Sequence, residues 1–332
     1  LTGDHQEPLS WEHVAVDVPI QFYALLYLPQ QTPMELLFAS EPKVSLDLHV
    51  RRVFIQNDCP DLLPLYLRFV RGVVDCDDLP LNVSRETLQQ NPGIAKVRAT
   101  LVRRVQGMLE NMVKKDEEQY LTFWRAYGAV LKEGVAMEFE HKDQLAGLLR
   151  YHSSLEDDPE AYVSLQTYVD RVQSEQEKIY YLAGESKESI AQSPLLETFR
   201  KRGLEVLYLD EPVDEWVIQG LQKFGEKEFQ AVDAADLDLG AEEDEVKLEG
   251  VDDESRAETI ELIDFLKKQL EGRVSDVVES KRLTDSPCVL VAAQGGVSQN
   301  MERLMKMADR DFAGSQRQLE INPKHDIIRN LS

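Results

Sequence analysis

Ile94, Val97, Leu101, Val105, Met108, Leu109 and Met112 recur at steps of three and four. That spacing puts all seven on one face of a helix from about 93 to 115, and a face so apolar must be covered. A second stripe follows at once, with Tyr120, Phe123, Trp124, Tyr127, Val130 and Leu131, and Leu145, Leu148 and Leu149 close the helical stretch. Aromatic residues at this spacing read as core. Strands are predicted ahead of the helices. Residues 22–29 (FYALLYLP) form an apolar run closed by proline, the mark of a buried strand. Val44, Leu46, Leu48 and Val50 alternate with polar residues, which predicts a half-buried strand continuing into Arg52, Val53, Phe54 and Ile55. Residues 62–74 fit a short helix or a strand equally.

An α/β unit comes next. Residues 178–183 (KIYYLA) read as a strand, 186–202 as a helix interrupted near Pro194 and stopped by Gly203, and 204–209 (LEVLYL) as a further strand. A crossover of this length favours parallel pairing. A helix over 213–224 carries Trp216, Ile218, Leu221 and Phe224. The composition then shifts: residues 233–254 hold eleven acids and one lysine. This reads as a solvated linker, with an acidic partner-binding segment as the alternative. Beyond it Ile260, Ile263, Leu266 and Leu270 share a helical face, 274–278 and 288–292 read as strands, and Val297, Met301, Leu304, Met305 and Ala308 make a last amphipathic stripe.

Charge and residue inventory narrow the function. With 37 basic and 61 acidic side chains the formal net charge is −24. Phosphate backbones and anionic membrane surfaces are repelled, so neither nucleic acid nor membrane is an expected partner. Cys59, Cys76 and Cys288 are far apart, the six histidines show no ligand spacing, and no metal site is expected. Few cysteines suit a reducing, cytoplasmic setting. No Walker A, His-Glu-x-x-His or Ser/His/Asp pattern occurs, and Gly295-Gly296 reads as a tight turn. One segment stands apart, DDLPLNVSRETLQQNP at 77–92. Ser84 is a plausible N-cap and Pro92 a stop for a short helix. Arg85 then sits in the first turn, where free N–H groups and a guanidinium face the same anion, with Gln89 one turn on. A surface Arg85 paired with Glu86 is the competing reading.

DDLPLNVSRETLQQN is similar to the signature loop of the heat-shock protein 90 chaperone family, most closely the bacterial type. EPLSWEH (7–13), LHVRRVFI (48–55), YLRFVRGVVD (66–75), EKIYYLAGES (177–186), LEVLYLDEPVDEW (204–216) and LEINPKHDIIRN (319–330) match in the same order. The resemblance covers essentially the whole chain. It implies an α/β and α+β fold class, with an α-β-α layered middle domain followed by a small mixed α+β C-terminal domain. The middle domain would occupy 1–230, in two α/β parts joined by helices with a boundary near 115–165. The acidic linker would be 231–254, and a truncated C-terminal dimerisation domain 255–332.

The implied function is that of an ATP-dependent stress-response chaperone, homodimeric at full length, acting on unfolded or partly folded client proteins, with possible co-chaperones. ATP and Mg2+ would be held mainly by an N-terminal domain that is not in this sequence. The isolated chain is therefore expected to bind no cofactor tightly, to lack ATPase activity and to be monomeric. By resemblance Arg85 reaches the ATP γ-phosphate, with Gln89 and Asn82 in the same catalytic loop. Trp11 and Phe54 match middle-domain client contacts, Phe54 being as readily core. Met301, Leu304 and Met305 match a client-facing C-terminal helix, a role the flexible methionine side chain suits. A passive holdase or scaffold with no ATPase role is the alternative function.

Overall fold

Apolar side chains on alternate residues lay down the first sheet. In the computed structural model, which describes residues 7–33, 43–80, 91–137, 142–173, 176–237, 239, 253–308 and 314–331, the chain divides into two units, Leu1–Leu149 and Arg150–Ser332. The first contains β1 (Ser10–Val16), β2 (Phe22–Leu28), β3 (Ser45–Val50), β4 (Val53–Gln56) and β5 (Arg71–Cys76), in the order β1-β2-β5-β3-β4. All neighbours are antiparallel except β3 and β5. Phe22, Ala24, Leu26 and Leu28 point inward from β2, whereas Tyr23 and Leu25 are 40% and 39% exposed. The apolar run is thus buried on one face only. The centre of the sheet is tight. A Cβ on Gly72 would lie 1.9 Å from the Leu25 carbonyl oxygen on β2, so β5 passes there only as glycine.

The strand expected to run unbroken from 44 to 55 is instead a hairpin. Arg51 and Arg52 take φ of 50° and 66° and reverse the chain between β3 and β4. Two left-handed centres are what a tight primed turn demands, normally from Asn or Gly. Tertiary contacts hold the arginines there: Arg51 Nε donates to the Asp77 carbonyl at 3.0 Å, and the Arg52 N–H donates to Asp75 Oδ1 at 3.0 Å. Residues 62–74 supply a 3-10 turn at Leu65–Leu67 and then the start of β5.

The long apolar stripe becomes α1 (Pro92–Lys115), and its seven predicted residues are all buried. The aromatic stripe becomes α2 (Glu117–Met137), followed by the short α3 (Lys142–Ala146). Phe69 meets Phe123 edge-on at 5.1 Å, and the Tyr127 hydroxyl bonds the Pro29 and Gln31 carbonyls at 3.0 Å each. The aromatic face is core, as the spacing indicates, and its polar tips are satisfied.

The second unit opens with β6 (Arg150–Ser153), β7 (Val163–Ser164), α4 (Leu165–Arg171) and β8 (Lys178–Ala183). Next come α5 (Lys187–Ala191), a 3-10 turn at Pro194–Leu196, α6 (Glu197–Arg202) and β9 (Leu207–Leu209). Gly203, at φ 65°, ends α6, and β9 pairs parallel to β8. The helix predicted over 213–224 is shorter. As α7 (Asp214–Leu221) it closes at Gln222, φ 60°, which sends Phe224 into β10 (Lys223–Phe224) beside β11 (Lys227–Ala231). The six strands run β10-β11-β8-β9-β6-β7.

The acidic stretch is packed over its first residues, contrary to a linker solvated throughout. Val232 is fully buried, Asp233, Leu237 and Leu239 nearly so, and Ala234 bridges to Ala292. Leu237 and Leu239 insert into the core that contains Tyr180, Phe199 and Val291. Composition averages over such a pair of anchors; their spacing of two does not.

After this stretch come α8 (Asp253–Gln269), β12 (Val274–Glu279), β13 (Cys288–Ala292), α9 (Gln299–Ala308), β14 (Arg317–Ile321) and α10 (Asp326–Arg329). Their sheet runs β12-β14-β13, parallel then antiparallel. Leu262, Ile263 and Leu266 on α8, with Leu270 just beyond it, cover Val277, Ile321 and Ile328, while Ile260 is 56% exposed and leaves the expected face. Among the described residues no helix is long and apolar enough to cross a membrane.

Candidate functional site

Arg85, Gln89 and Asn82 fall in 81–90, outside the described residues, but both ends of that loop are fixed. Residues 77–80, which lead into that segment, follow the C-terminal end of β5, the central strand of the first sheet. The Asp77 N–H donates to the Gln21 carbonyl at 3.1 Å, and the Gln21 N–H donates to Asp78 Oδ2 at 2.7 Å. Leu79 is 1% exposed. Beyond the loop, Asn91 Oδ1 accepts from the Gly93 N–H at 2.8 Å and Pro92 takes the first helical position. Pro92 therefore opens α1. A Cβ on Gly93 would stand 2.8 Å from Ile20 Cδ1 and 3.4 Å from Leu79 Cδ2, so glycine lets the helix start seat against residues from before the loop.

The electrostatics of this frame suit an anion. The first turn of α1 carries no acid of its own, and a helix N-terminus favours negative charge. Among the described residues no group of three or more His, Cys, Asp or Glu is placed to hold a metal.

The expected client-facing residues divide sharply. Trp11 on β1 is 64% exposed, and Phe54 on β4 is 57% exposed beside Val53. They mark the two outer strands of one sheet. Phe54 meets His49 edge-on at 5.5 Å and, at that exposure, is not core. In the second unit Met301 is 1% exposed, which corrects its assignment to a client surface: it faces inward. Leu304 and Met305 are half-buried, while Met307 and Trp216 are exposed. Both of these lie off the apolar stripes of their helices, and that offset was the available signal: a large apolar residue out of phase has no core to enter.

Buried acids hold the start of α9. Ser298 Oγ donates to Glu215 Oε2 at 2.6 Å and accepts from the Met301 N–H at 3.0 Å, and Asp233 is nearly inaccessible. Burial pushes both carboxyls above their usual range, and the Tyr181 hydroxyl near them is pushed up as well.

Comparison with known proteins decides the family. The family model for Hsp90 protein matches residues 1–332. The chain belongs to the Hsp90 family. It is similar to the bacterial chaperone protein HtpG of Geobacter sulfurreducens, at 44% identity over 332 residues, covering 100% of this chain and 51% of that protein. The HtpG of Methylococcus capsulatus is 44% identical over 337 residues, covering 100% and 52%, and that of Myxococcus xanthus 45% over 335, covering 100% and 50%. The chain spans about half the length of the curated relatives it matches. The sequence motifs of the Hsp90 resemblance sit on sheet-building elements: EPLSWEH reaches β1, LHVRRVFI forms the β3–β4 turn, EKIYYLAGES carries β8, and LEINPKHDIIRN makes β14 and α10.

Proposed function

We propose that the chain is the middle domain and the front of the C-terminal domain of an ATP-driven chaperone, with Arg85 completing the ATPase site. The supporting observation is the frame of this segment: a signature stretch of an Hsp90-family chain that falls in sequence between the end of a central strand and a helix N-terminus with no acid in its first turn. A guanidinium there would stabilise charge on a transferring phosphoryl group, with Asn82 and Gln89 as neighbours in the loop. Nucleotide and Mg2+ belong to the part of the full-length protein outside this sequence. Middle-domain boundaries at 1–230, a joining stretch at 231–254, a C-terminal domain from 255, homodimerisation, co-chaperone binding and a cytoplasmic location are parts of the same proposal. Exposed Trp11, Phe54, Trp216 and Met307 are the surfaces offered to unfolded or partly folded clients.

The test is Arg85→Ala in the full-length protein. ATP affinity should stay near wild type, because the arginine contributes mainly to the transition state. Turnover should fall a hundredfold to a thousandfold, or about 3–4 kcal/mol. Arg85→Lys should restore only part, since an ammonium lacks the planar fork. Wild-type turnover in a folded Arg85→Ala protein would refute the role. The exposed aromatic surfaces also favour a second reading, a passive holdase. It predicts that aggregation of a test protein is suppressed equally with and without ATP.

A further inference from the structure

A cleft of about 530 Å³ opens in the first unit between β1 and α1. Ser10, Trp11 and Glu12 line it from the strand, and Arg103, Gly107 and Lys115 are among its helix residues. Successive strand residues point to opposite faces, so three in a row line one cleft only where it meets the strand edgewise. The inner edge of β1 is bonded to β2, and among the described residues no strand pairs with the outer one. The cleft therefore abuts a free row of backbone N–H and C=O groups, a template for an added strand.

Two features specify the occupant. The first is charge. In a chain of net charge −24, this cleft carries Arg103, Arg104 and Lys115 against the single acid Glu12, which Arg104 engages at 3.2 Å. Among the described residues Arg103 and Lys115 have no acidic partner. The second is Gly107. Glycine inside a helix lowers stability relative to alanine, and here packing does not require it: a Cβ at 107 would meet nothing within 4 Å. What its absence leaves is depth in the cleft, where another backbone can approach closely. Trp11, 64% exposed, offers an apolar platform at the rim.

We propose that this cleft binds an acidic, extended peptide segment of a client, which adds as a strand to the free edge of β1 while its carboxylates meet Arg103 and Lys115. This rests on the client-binding reading above and names the class of segment selected.

The experiment uses the 332-residue chain and fluorescein-labelled decapeptides of alternating Glu and Val, or Lys and Val, followed by anisotropy. The Glu-Val peptide should bind at least tenfold tighter than the Lys-Val peptide and weaken as salt is raised. Methylating alternate peptide nitrogens should abolish binding. Gly107→Leu, which fills the cleft, and the Arg103→Glu/Lys115→Glu double variant should each weaken it tenfold or more, with far-UV circular dichroism unchanged. Equal binding of the two peptides, unaltered binding after N-methylation, or full affinity in folded Gly107→Leu would overturn the proposal. Suppression of aggregation of a heat-unfolded test protein separates the two levels. If it persists while the peptide fails to bind, the cleft proposal falls alone. If it is absent too, the client-binding reading falls with it.

Discussion

Glu197 shows how much one carboxylate can organise. It accepts hydrogen bonds from the N–H groups of Thr284, Asp285 and Ser286 at 2.7, 2.8 and 3.2 Å, and from the Ser286 hydroxyl. Burial by itself would raise its pKa, but the hydroxyl and the three N–H donors outweigh burial and the net shift is downward. A carboxyl with a depressed folded-state value stabilises the fold at pH above its unfolded value, near 4.5, and that contribution is lost as pH falls through the folded value. Glu197→Gln keeps the size but only one acceptor oxygen, and is expected to lower stability by about 2 kcal/mol at pH 7. In urea melts the gap to wild type should narrow steadily below pH 4.5; a gap independent of pH would show that the charge is immaterial. Asp233 and Glu215 respond in the opposite sense. Their raised values mean that ionising them opposes folding, so their unfavourable contribution grows as pH rises.

At the scale of elements, the β3–β4 hairpin is where local sequence and structure disagree. Arg52 holds φ 66° without glycine's freedom. Its N–H bond to Asp75 is a backbone bond that glycine keeps. Arg52→Gly is therefore expected to raise stability by about 1 kcal/mol, measured by thermal or urea unfolding. Destabilisation would mean that the arginine side chain has an anchoring role of its own. This turn also explains the uneven legibility of the fold. The stripes at 94–112 and 120–131 were plain in the sequence because a helix of 21 to 24 residues repeats its signal many times. The hairpin was hidden because its turn is set by acceptors on Asp75 and Asp77, 23 and 26 residues away, and carries no local mark. Leu237 and Leu239 were hidden by the acids around them, and the client-facing reading of Met301 comes from the family resemblance, whereas its apolar stripe alone favours the core packing it has. The segment holding Arg85 was legible as a motif, and the role proposed for Arg85 rests on the family pattern rather than on spacing.

At the scale of the whole molecule, Arg282 holds distant parts of the second unit together. Its guanidinium is 2% exposed, pairs with Glu320 through Nε at 3.0 Å and Nη2 at 2.8 Å, and donates to the carbonyls of Val232 and Ala234. It joins the C-terminal sheet to the end of the six-stranded one. Arg282→Ala would leave Glu320 buried and unpaired, and two carbonyls orphaned. A loss of about 3–5 kcal/mol in urea unfolding is expected. An added Glu320→Leu should recover part of it by removing the stranded charge, and failure to recover any would place the whole cost on the carbonyls. The open edge of β1 carries a different consequence, one of colloidal behaviour. An unpaired strand edge is a place where two copies of a chain can join, and what keeps them apart in neutral solution is mutual repulsion between bodies of charge −24. That repulsion vanishes near the isoelectric point of about 4.7. Light scattering should rise steeply as the solution is titrated toward that pH. A proline placed at His13, whose N–H faces away from β2, blocks the edge without removing a bond of the β1–β2 ladder and should hold the molecules in dispersion.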